Sequence, residues 1–304
     1  MVIAIRAVTL ALLATISVAT AARADDAAKL DDTVRAAIKA AGDGALASVW
    51  YGTPGQAVYE LEAGTTLPAA SVIKTAILVE LFAAHAGHLD VPLGSDAVVS
   101  DDTHAAMTPF SAAQRKEIRD QLTGATVRTV GAIMMGSKKA SNAVYNAAAS
   151  LAIASLGGPA GCTAKIHARD PGFSGLVVAR YMLAPRTPAD NLATARSLAA
   201  VLEQIATGKL AKIDVVTTQA IAEVMLSRKD ALGTLRHKDG NLDNDPMVVI
   251  KTGYYARDGK PPIIFAIGAT RTTRPAGSRD AAAKQLDKLA DAIERTLRAA
   301  TIAR

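Results

Sequence analysis

The stretch Leu67-Pro68-Ala69-Ala70-Ser71-Val72-Ile73-Lys74-Thr75-Ala76-Ile77-Leu78-Val79-Glu80-Leu81-Phe82 constrains this chain more than any other. Its apolar residues Ile73, Ile77, Leu78, Leu81 and Phe82 recur at helical spacing, so one face of a helix is committed to a core. Pro68 and the small Ala69-Ala70 pair place Ser71 near the first turn, in the positive field of the helix N-terminus. Ser71 and Lys74 are three positions apart and share a face. A lysine beside a serine hydroxyl in a dry site can lose its proton, accept the serine proton and create an alkoxide nucleophile. Ser-x-x-Lys turns up about once by chance in a chain of this length, and its bland reading is a capped helix with a solvated lysine. The apolar face around Lys74 and a second motif far downstream favour the chemical reading.

The first two dozen residues stand apart from the fold. Arg6 supplies a basic start, Ala7 to Ala19 an apolar run, and Ala22-Arg23-Ala24 an A-x-A-like cleavage site, the pattern of a secretory signal. Residues 1–24 are therefore expected to be removed, leaving residues 25–304 as a single catalytic domain in a periplasmic or secreted protein with no membrane anchor. Cleavage takes the formal charge from +6 to +4, because Arg6 and Arg23 go and no acid does. The mildly basic surface suits anionic partners such as cell-wall polymer, but the charge is spread and forms no nucleic-acid patch. The single Cys162 has no partner for an internal disulfide.

Leu30, Val34 and Ile38 mark an amphipathic helix ending at Gly42 and Gly44. Ala45 to Tyr51 and Gln56 to Glu62 read as strands of a hairpin turning at Gly52-Thr53-Pro54-Gly55. Ser111 with Gln114 spells a capping box. Helices are expected over Thr126 to Met135 and Asn142 to Leu156, another opening at Thr187-Pro188-Ala189-Asp190 and carrying Leu192, Leu198, Leu202 and Ile205, and one near Thr217 to Leu226. Strand signals return at Met247 to Tyr254 and Pro262 to Thr270, joined by a turn at Asp258-Gly259, and Ser278 caps a closing helix with Leu286, Leu289, Ile293 and Leu297. The expected architecture is α/β (α+β): an antiparallel sheet built from both termini (residues 25–66 and 212–304), flanked by terminal helices, with an all-helical lobe (residues 67–211) inserted. A ligand belongs in the crevice between the lobes.

Lys251-Thr252-Gly253 lies in the first of those late strands. An ammonium on a strand edge attracts a carboxylate, a neighbouring hydroxyl hydrogen-bonds it, and a glycine lets substrate backbone approach as an added strand. The alternative is an edge strand ending on a lysine that discourages aggregation.

Taken together, Ser-x-x-Lys opening a helix after an early hairpin and Lys-Thr-Gly on a strand before a closing helix resemble the penicillin-recognising serine enzymes, and class A β-lactamases in particular. The resemblance runs from about Ala45 to the C-terminus and includes Leu156-Gly157-Gly158-Pro159 and the Thr187-Pro188 helix start. It implies the β-lactamase/transpeptidase-like fold and a covalent acyl-enzyme. Ser71 would attack an amide or β-lactam carbonyl, Lys74 would take its proton, Lys251 would polarise the site, and Thr252 and Gly253 would bind substrate. Backbone N–H groups of Ser71 and Tyr255 would form the oxyanion hole.

Two departures qualify that expectation. The family's middle Ser-Asp-Asn motif corresponds to Gly136-Ser137-Lys138-Lys139-Ala140-Ser141-Asn142-Ala143-Val144-Tyr145-Asn146. Matching Asn142 and Asn146 to the family's asparagines puts Ala140 at the proton-relaying serine, so Ser141, Ser137 or Tyr145 must substitute. Asn142 would hold substrate through its amide and also suits a helix start. The family's Glu-x-x-Leu-Asn segment, whose glutamate activates the deacylating water, has no counterpart. Asp170 is the only acid between Gly158 and Thr187, and as a loop acid it reads first as a cap. His85 and His88 lack a third donor and read as partners of a helix C-terminus rather than metal ligands. Arg257 and Lys260 read as solvated turn charges, and Trp50 as core.

The reading is a monomeric, cofactor-free serine hydrolase, acylated by a β-lactam or related amide or ester and slow to deacylate. The alternatives are a D-alanyl-D-alanine carboxypeptidase-like peptidoglycan enzyme, which deacylates without that glutamate, and a binding protein that kept the cleft and lost turnover.

Overall fold

The computed structural model describes residues 27–271 and 279–302. The expected signal at 1–24 and the Ser278 cap lie outside these residues. Helix α1 (residues 27–40) leads into strands β1 (Ala45–Thr53) and β2 (Gln56–Leu61), the expected hairpin. After the short strand β3 (Leu67–Pro68) comes a 3-10 turn (Ala70–Ile73) and helix α2 (Lys74–Ala84). Helices α3 (Asp96–Ser100), α4 (Ala112–Leu122), α5 (Val127–Met135), α6 (Asn142–Ser155) and α7 (Gly158–Arg169) complete the central block. Strand β4 (Leu192–Ala193) and helices α8 (Ala195–Thr207) and α9 (Val215–Val224) precede strands β5 (Leu226–Asp230), β6 (Gly233–Leu242), β7 (Met247–Arg257) and β8 (Lys260–Arg271), and helix α10 (Arg279–Ile302) closes the described chain.

Local chemistry sets most helix starts. Ser111 and Gln114 form the reciprocal capping box of α4. Thr126 caps α5 and Ser141 caps α6, each accepting from the N–H three residues on. Helix α2 is different: every side chain from Lys74 to Phe82 is buried. A helix apolar on all sides belongs in the middle of a packed lobe, and α5, α6, α7 and α9 surround it.

The sheet is six-stranded and antiparallel, in the order β2-β1-β8-β7-β6-β5. Its centre joins the two ends of the chain, with Val49 opposite Ile267 and Tyr51 opposite Phe265. One face packs on α1 and α10 through Leu30, Val34, Leu286, Ile293 and Leu297. The other face joins the helical core, where Val248, Ile250, Ile264 and Ala266 meet Leu198 and Leu202 of α8. The division expected at residue 212 falls later, because α9 packs with α2, α5 and α8.

Two expectations about elements are corrected. The helix expected to open at Thr187-Pro188 begins at Ala195, with Thr194 accepting from Ser197 N–H. Leu192 and Ala193 are instead held as a strand against Pro68 and Leu67, and Asn191 O accepts from Ala69 N–H at 2.7 Å. Tertiary pairing thus overrides a local start signal. Strands β5 and β6 were not expected at all: Gly, Lys, Asp and Asn dominate the second, which hides its strand character.

Arg169 of α7 forks onto Glu80 of α2 (2.5 and 2.8 Å) and donates to Ala211 O at 2.6 Å, so one guanidinium ties three segments together. The two side chains are 10% and 3% exposed. Glu80→Ala is expected to lower unfolding stability in urea by about 3–5 kcal/mol, because it strands a buried guanidinium. Asp120→Ala, breaking the exposed Lys116–Asp120 pair, should cost under about 1 kcal/mol. Equal costs for the two would refute the buried-pair account.

Candidate active site

Ser71 sits inside the 3-10 turn that runs into α2, one helical step before Lys74. Ala70 just before it has φ +46°, a left-handed conformation that costs a non-glycine residue on the order of 1 kcal/mol. Ser71 borders a cleft of about 390 Å³, together with Asn142, Asn146, Arg180, Leu183 and Asn241.

Lys74, three residues on, has no solvent exposure. Its Nζ donates to Asn146 Oδ1 at 2.9 Å. The amide of Asn146 is oriented in turn, because its Nδ2 donates to both O and Oδ1 of Asn142 at 2.9 Å. The Tyr145 ring covers the amine, with Nζ 3.2 Å from the ring centroid. Burial, and then the charge of nearby Lys238, hold the Lys74 pKa well below the ordinary lysine value. A neutral amine next to a serine is a proton acceptor. Ser71, Lys74, Asn142 and Asn146 are thus brought together.

Lys251, Thr252, Gly253 and Tyr255 are not brought to Ser71, and the period of a strand explains why. Facing residues of an antiparallel pair share a side of the sheet, and successive residues alternate. Lys251 faces Asp239 and points toward α10, where it pairs with Asp291 and, at 3.7 Å, with Asp287. Burial lowers the Lys251 pKa, but the Asp291 hydrogen bond and the charges of Asp291, Asp287 and Asp239 outweigh it and raise the value overall. Its cavity, shared with Lys284 and Asp287, excludes Ser71. Tyr255 lies in the same terminal-helix core, with its hydroxyl donating to Glu294 at 3.4 Å. Gly253 faces His237 on β6, and a Cβ there would lie 2.5 Å from Arg236 O. Thr252 does point toward the helical lobe, but it is buried and its hydroxyl donates to the backbone oxygen of Lys238.

The lysine that reaches the site is Lys238 on β6, missed in the sequence. It faces Thr252, is 5% exposed, and carries its Nζ 5.3 Å from the Tyr145 ring centroid. Two residues on, Gly240 touches the nucleophile's backbone: a Cβ at 240 would lie 2.6 Å from Ser71 N. Only a residue without a side chain fits there. Pairing of β6 with β5 ends at His237, so the β6 edge from Lys238 to Leu242 is left without a strand neighbour among the described residues. The Lys-x-Gly pattern expected at residues 251–253 recurs at Lys238-Asp239-Gly240, on the strand that touches Ser71.

The middle-motif candidates also separate. Ser141 caps α6 through Val144 N–H. Ser137 donates to Val224 O at 2.7 Å, away from the cleft. Tyr145 stands between Lys74 and Lys238. Asp170 is a cap, accepting from Gly172 N–H at 2.7 Å and from Gln204 at 2.8 Å. Asp190, beside the cleft residue Asn191, is held by Arg180 (2.7 Å) and Arg186 (2.5 Å), and Arg186 also reaches Asn244 Oδ1. His85 ends α2, and the described residues contain no group of three His, Cys, Asp or Glu side chains able to hold a metal ion.

No protein-family model matches the chain, and no curated protein sequence does. Solved structures do match. A class A β-lactamase from Bacteroides cellulosilyticus superposes with a TM-score of 0.63 at 14% identity, covering 90% of this chain and 99% of that one. A mutant of the class A β-lactamase of the last common ancestor of Gram-negative bacteria gives 0.62 at 18% identity, covering 88% and 98%. A mutant of PBP-A, solved as an acyl-enzyme complex with penicillin G, gives 0.61 at 16% identity, covering 89% and 97%. The chain has the fold of class A β-lactamases and PBP-A, the β-lactamase/transpeptidase-like fold.

Proposed function

We propose that this chain is an exported serine hydrolase acylated at Ser71 by a β-lactam or a related amide or ester. The observation that carries the reading is the fully buried Lys74, depressed toward its neutral form and packed one helical step after the serine. In the reaction, Lys74 Nζ takes the Ser71 proton as Oγ attacks the carbonyl. The oxyanion that forms accepts from Ser71 N–H and from the β6 backbone at Gly240–Asn241, where the two segments touch. The Lys74 ammonium then protonates the departing nitrogen or oxygen. Lys238 contributes positive potential to the developing charge and, after burial, helps to lower the Lys74 pKa. Asn142 offers its side-chain amide to substrate at the cleft wall.

Hydrolysis of the acyl-enzyme needs a base aimed at water. Asp170 and Asp190 are both engaged in the fold, so deacylation should run roughly 10²–10⁴-fold below that of an enzyme with a positioned base. That engagement supports a second reading, a D-alanyl-D-alanine carboxypeptidase-like enzyme acting on peptidoglycan stems.

Incubation with penicillin G should add one drug mass at Ser71, absent in Ser71→Ala, and the adduct should persist after free drug is removed. Rapid clearance would overturn slow deacylation. No adduct from penicillins, activated esters or peptide analogues would leave a binding protein. Lys238→Met should slow acylation by about 10²-fold or more, whereas Lys251→Met should change it less than about threefold. The reverse order would restore the downstream motif to the site.

The acylation rate should climb with pH as Lys74 loses its proton, on a limb below the ordinary lysine value of 10.5. The same shift has a stability sign. With the folded pKa below the unfolded one, the unfolded chain binds the extra proton between the two values, so stability rises with pH across that window. Lys74→Met should abolish acylation, flatten this dependence and raise stability at neutral pH by roughly 1–3 kcal/mol in denaturant titration. Loss of stability in that variant would contradict the burial penalty.

A further inference from the structure

Tyr145 occupies a position that the reaction outlined above leaves without a role. It lies on the first turns of α6, half-buried against Gly136, with one ring atom 3.8 Å from where a Cβ at 136 would stand. Two amines converge on its ring, Lys74 Nζ at 3.2 Å and Lys238 Nζ at 5.3 Å from the centroid. The shorter contact places an amine directly over the π face, where the ring quadrupole attracts a cation.

The electrostatics around Lys74 make that contact consequential. The charged group facing it is Lys238 of β6, of like sign. Among the other elements packed on α2, Arg128 of α5 pairs with Asp90 and Glu223, and Arg169 of α7 pairs with Glu80 of α2 itself. Lys165 of α7 is exposed, and His167 bonds Leu176 O. No carboxylate among the described residues forms an ion pair with Lys74. Yet an acylating Lys74 must carry a positive charge between taking the Ser71 proton and delivering it to the leaving group. The groups touching Nζ that favour that charge are Asn146 Oδ1 and the Tyr145 ring.

We propose that Tyr145 is a positioning residue whose aromatic face, rather than its hydroxyl, stabilises the Lys74 ammonium formed during acylation and so sets the pH at which the site becomes active. The step balances within the site. The Oγ–H bond of Ser71 breaks, its electron pair forms the new bond to the substrate carbonyl carbon, and the proton resides on Nζ. It leaves with the displaced nitrogen or oxygen, returning Lys74 to the neutral amine.

This inference rests on the acyl-enzyme reading, and its test keeps the two apart. The full chain labelled with 13C,15N-lysine is titrated by NMR, with the Lys74 signal assigned by Lys74→Arg, while Ser71 acylation by an activated ester is followed over the same pH range. Tyr145→Phe should leave both the Nζ titration and the acid limb of acylation in place. Tyr145→Leu should move both to lower pH by about one unit, a tenfold loss of ammonium at a given pH. Replacing residue 145 by mono-, di- and trifluorinated phenylalanines, which keep the ring's shape and thin its π density, should produce graded downward shifts even where the leucine variant fails to fold. Unmoved titrations in the fluorinated series would overturn the proposal, as would Tyr145→Phe behaving like Tyr145→Leu, which would assign the role to the hydroxyl. If no ester acylates Ser71, the acyl-enzyme reading and the catalytic part of this inference both fall, and the NMR titration still decides whether the ring holds the ammonium.

Discussion

A primary amine held out of water, with no carboxylate paired to it, is a costly thing for a protein to build. Isolated ions in a protein interior carry penalties of several kcal/mol, and the usual escape is to shed the charge. Lys74 is pushed toward that escape, its pKa lowered by burial and then by the like charge of Lys238. Helix α2 maintains the condition: its residues from Lys74 to Phe82 are all buried. The Glu80–Arg169 pair on the same helix shows the opposite solution, a buried charge kept because its partner forks onto it. Two ionisable groups on one helix thus meet the same low-dielectric core and resolve it differently. Only the unpaired one is left able to exchange a proton.

Reactivity at Ser71 also depends on a contact made far away in sequence. The sheet closes by pairing β1 with β8, which brings the ends of the described chain together and leaves β6 near the sheet's edge beside the helical lobe. There the strand meets the serine turn so tightly that Gly240 has no room for a side chain. The approach brings the backbones of two segments together, and it sets Lys238, two residues earlier on the same side, over the Tyr145 ring. The glycine and the lysine are therefore coupled by the pleat: fixing one against Ser71 fixes the reach of the other.

The parts of this arrangement written in short stretches were legible. Ser71 and Lys74, the capping box at Ser111, the caps at Thr126 and Ser141, and the hairpin after Ala45 are each specified by residues within a few positions. The Asn142–Asn146 spacing was legible for the same reason. Strand faces were not, because a side chain's direction depends on register, and a shift of one residue sends it to the other face. Lys251-Thr252-Gly253 carries the expected letters with its lysine turned toward the carboxylates of α10. Lys238-Asp239-Gly240 carries only two of the three letters, in a strand too polar to be recognised by composition. A signal was present: Lys238 and Gly240 share a side, and the run from Gly233 opens a series of three strands before the closing helix. The Thr187-Pro188 segment misled in another way, since its start signal is genuine locally but β3 claims Leu192 and Ala193 first.

Forming an acyl-enzyme and hydrolysing it make different demands, and this cleft meets them unequally. Acylation needs a proton acceptor, a nucleophile and donors for an oxyanion, and Lys74, Ser71 and the 240–241 backbone can supply them. Hydrolysis needs in addition a carboxylate or equivalent base with a free lone pair facing water. The two acids of the 170–191 segment have their oxygens committed: Asp170 to Gly172 and Gln204, Asp190 to Arg180, Arg186 and the Asn191 N–H. Arg186 extends these commitments to Asn244, another residue bordering the cleft. Freeing Asp190 to act on water would leave two guanidiniums without their carboxylate, which destabilises partly buried sites strongly. On the acyl-enzyme reading proposed for this cleft, the engagement of both acids adds to the missing glutamate in setting acylation apart from turnover.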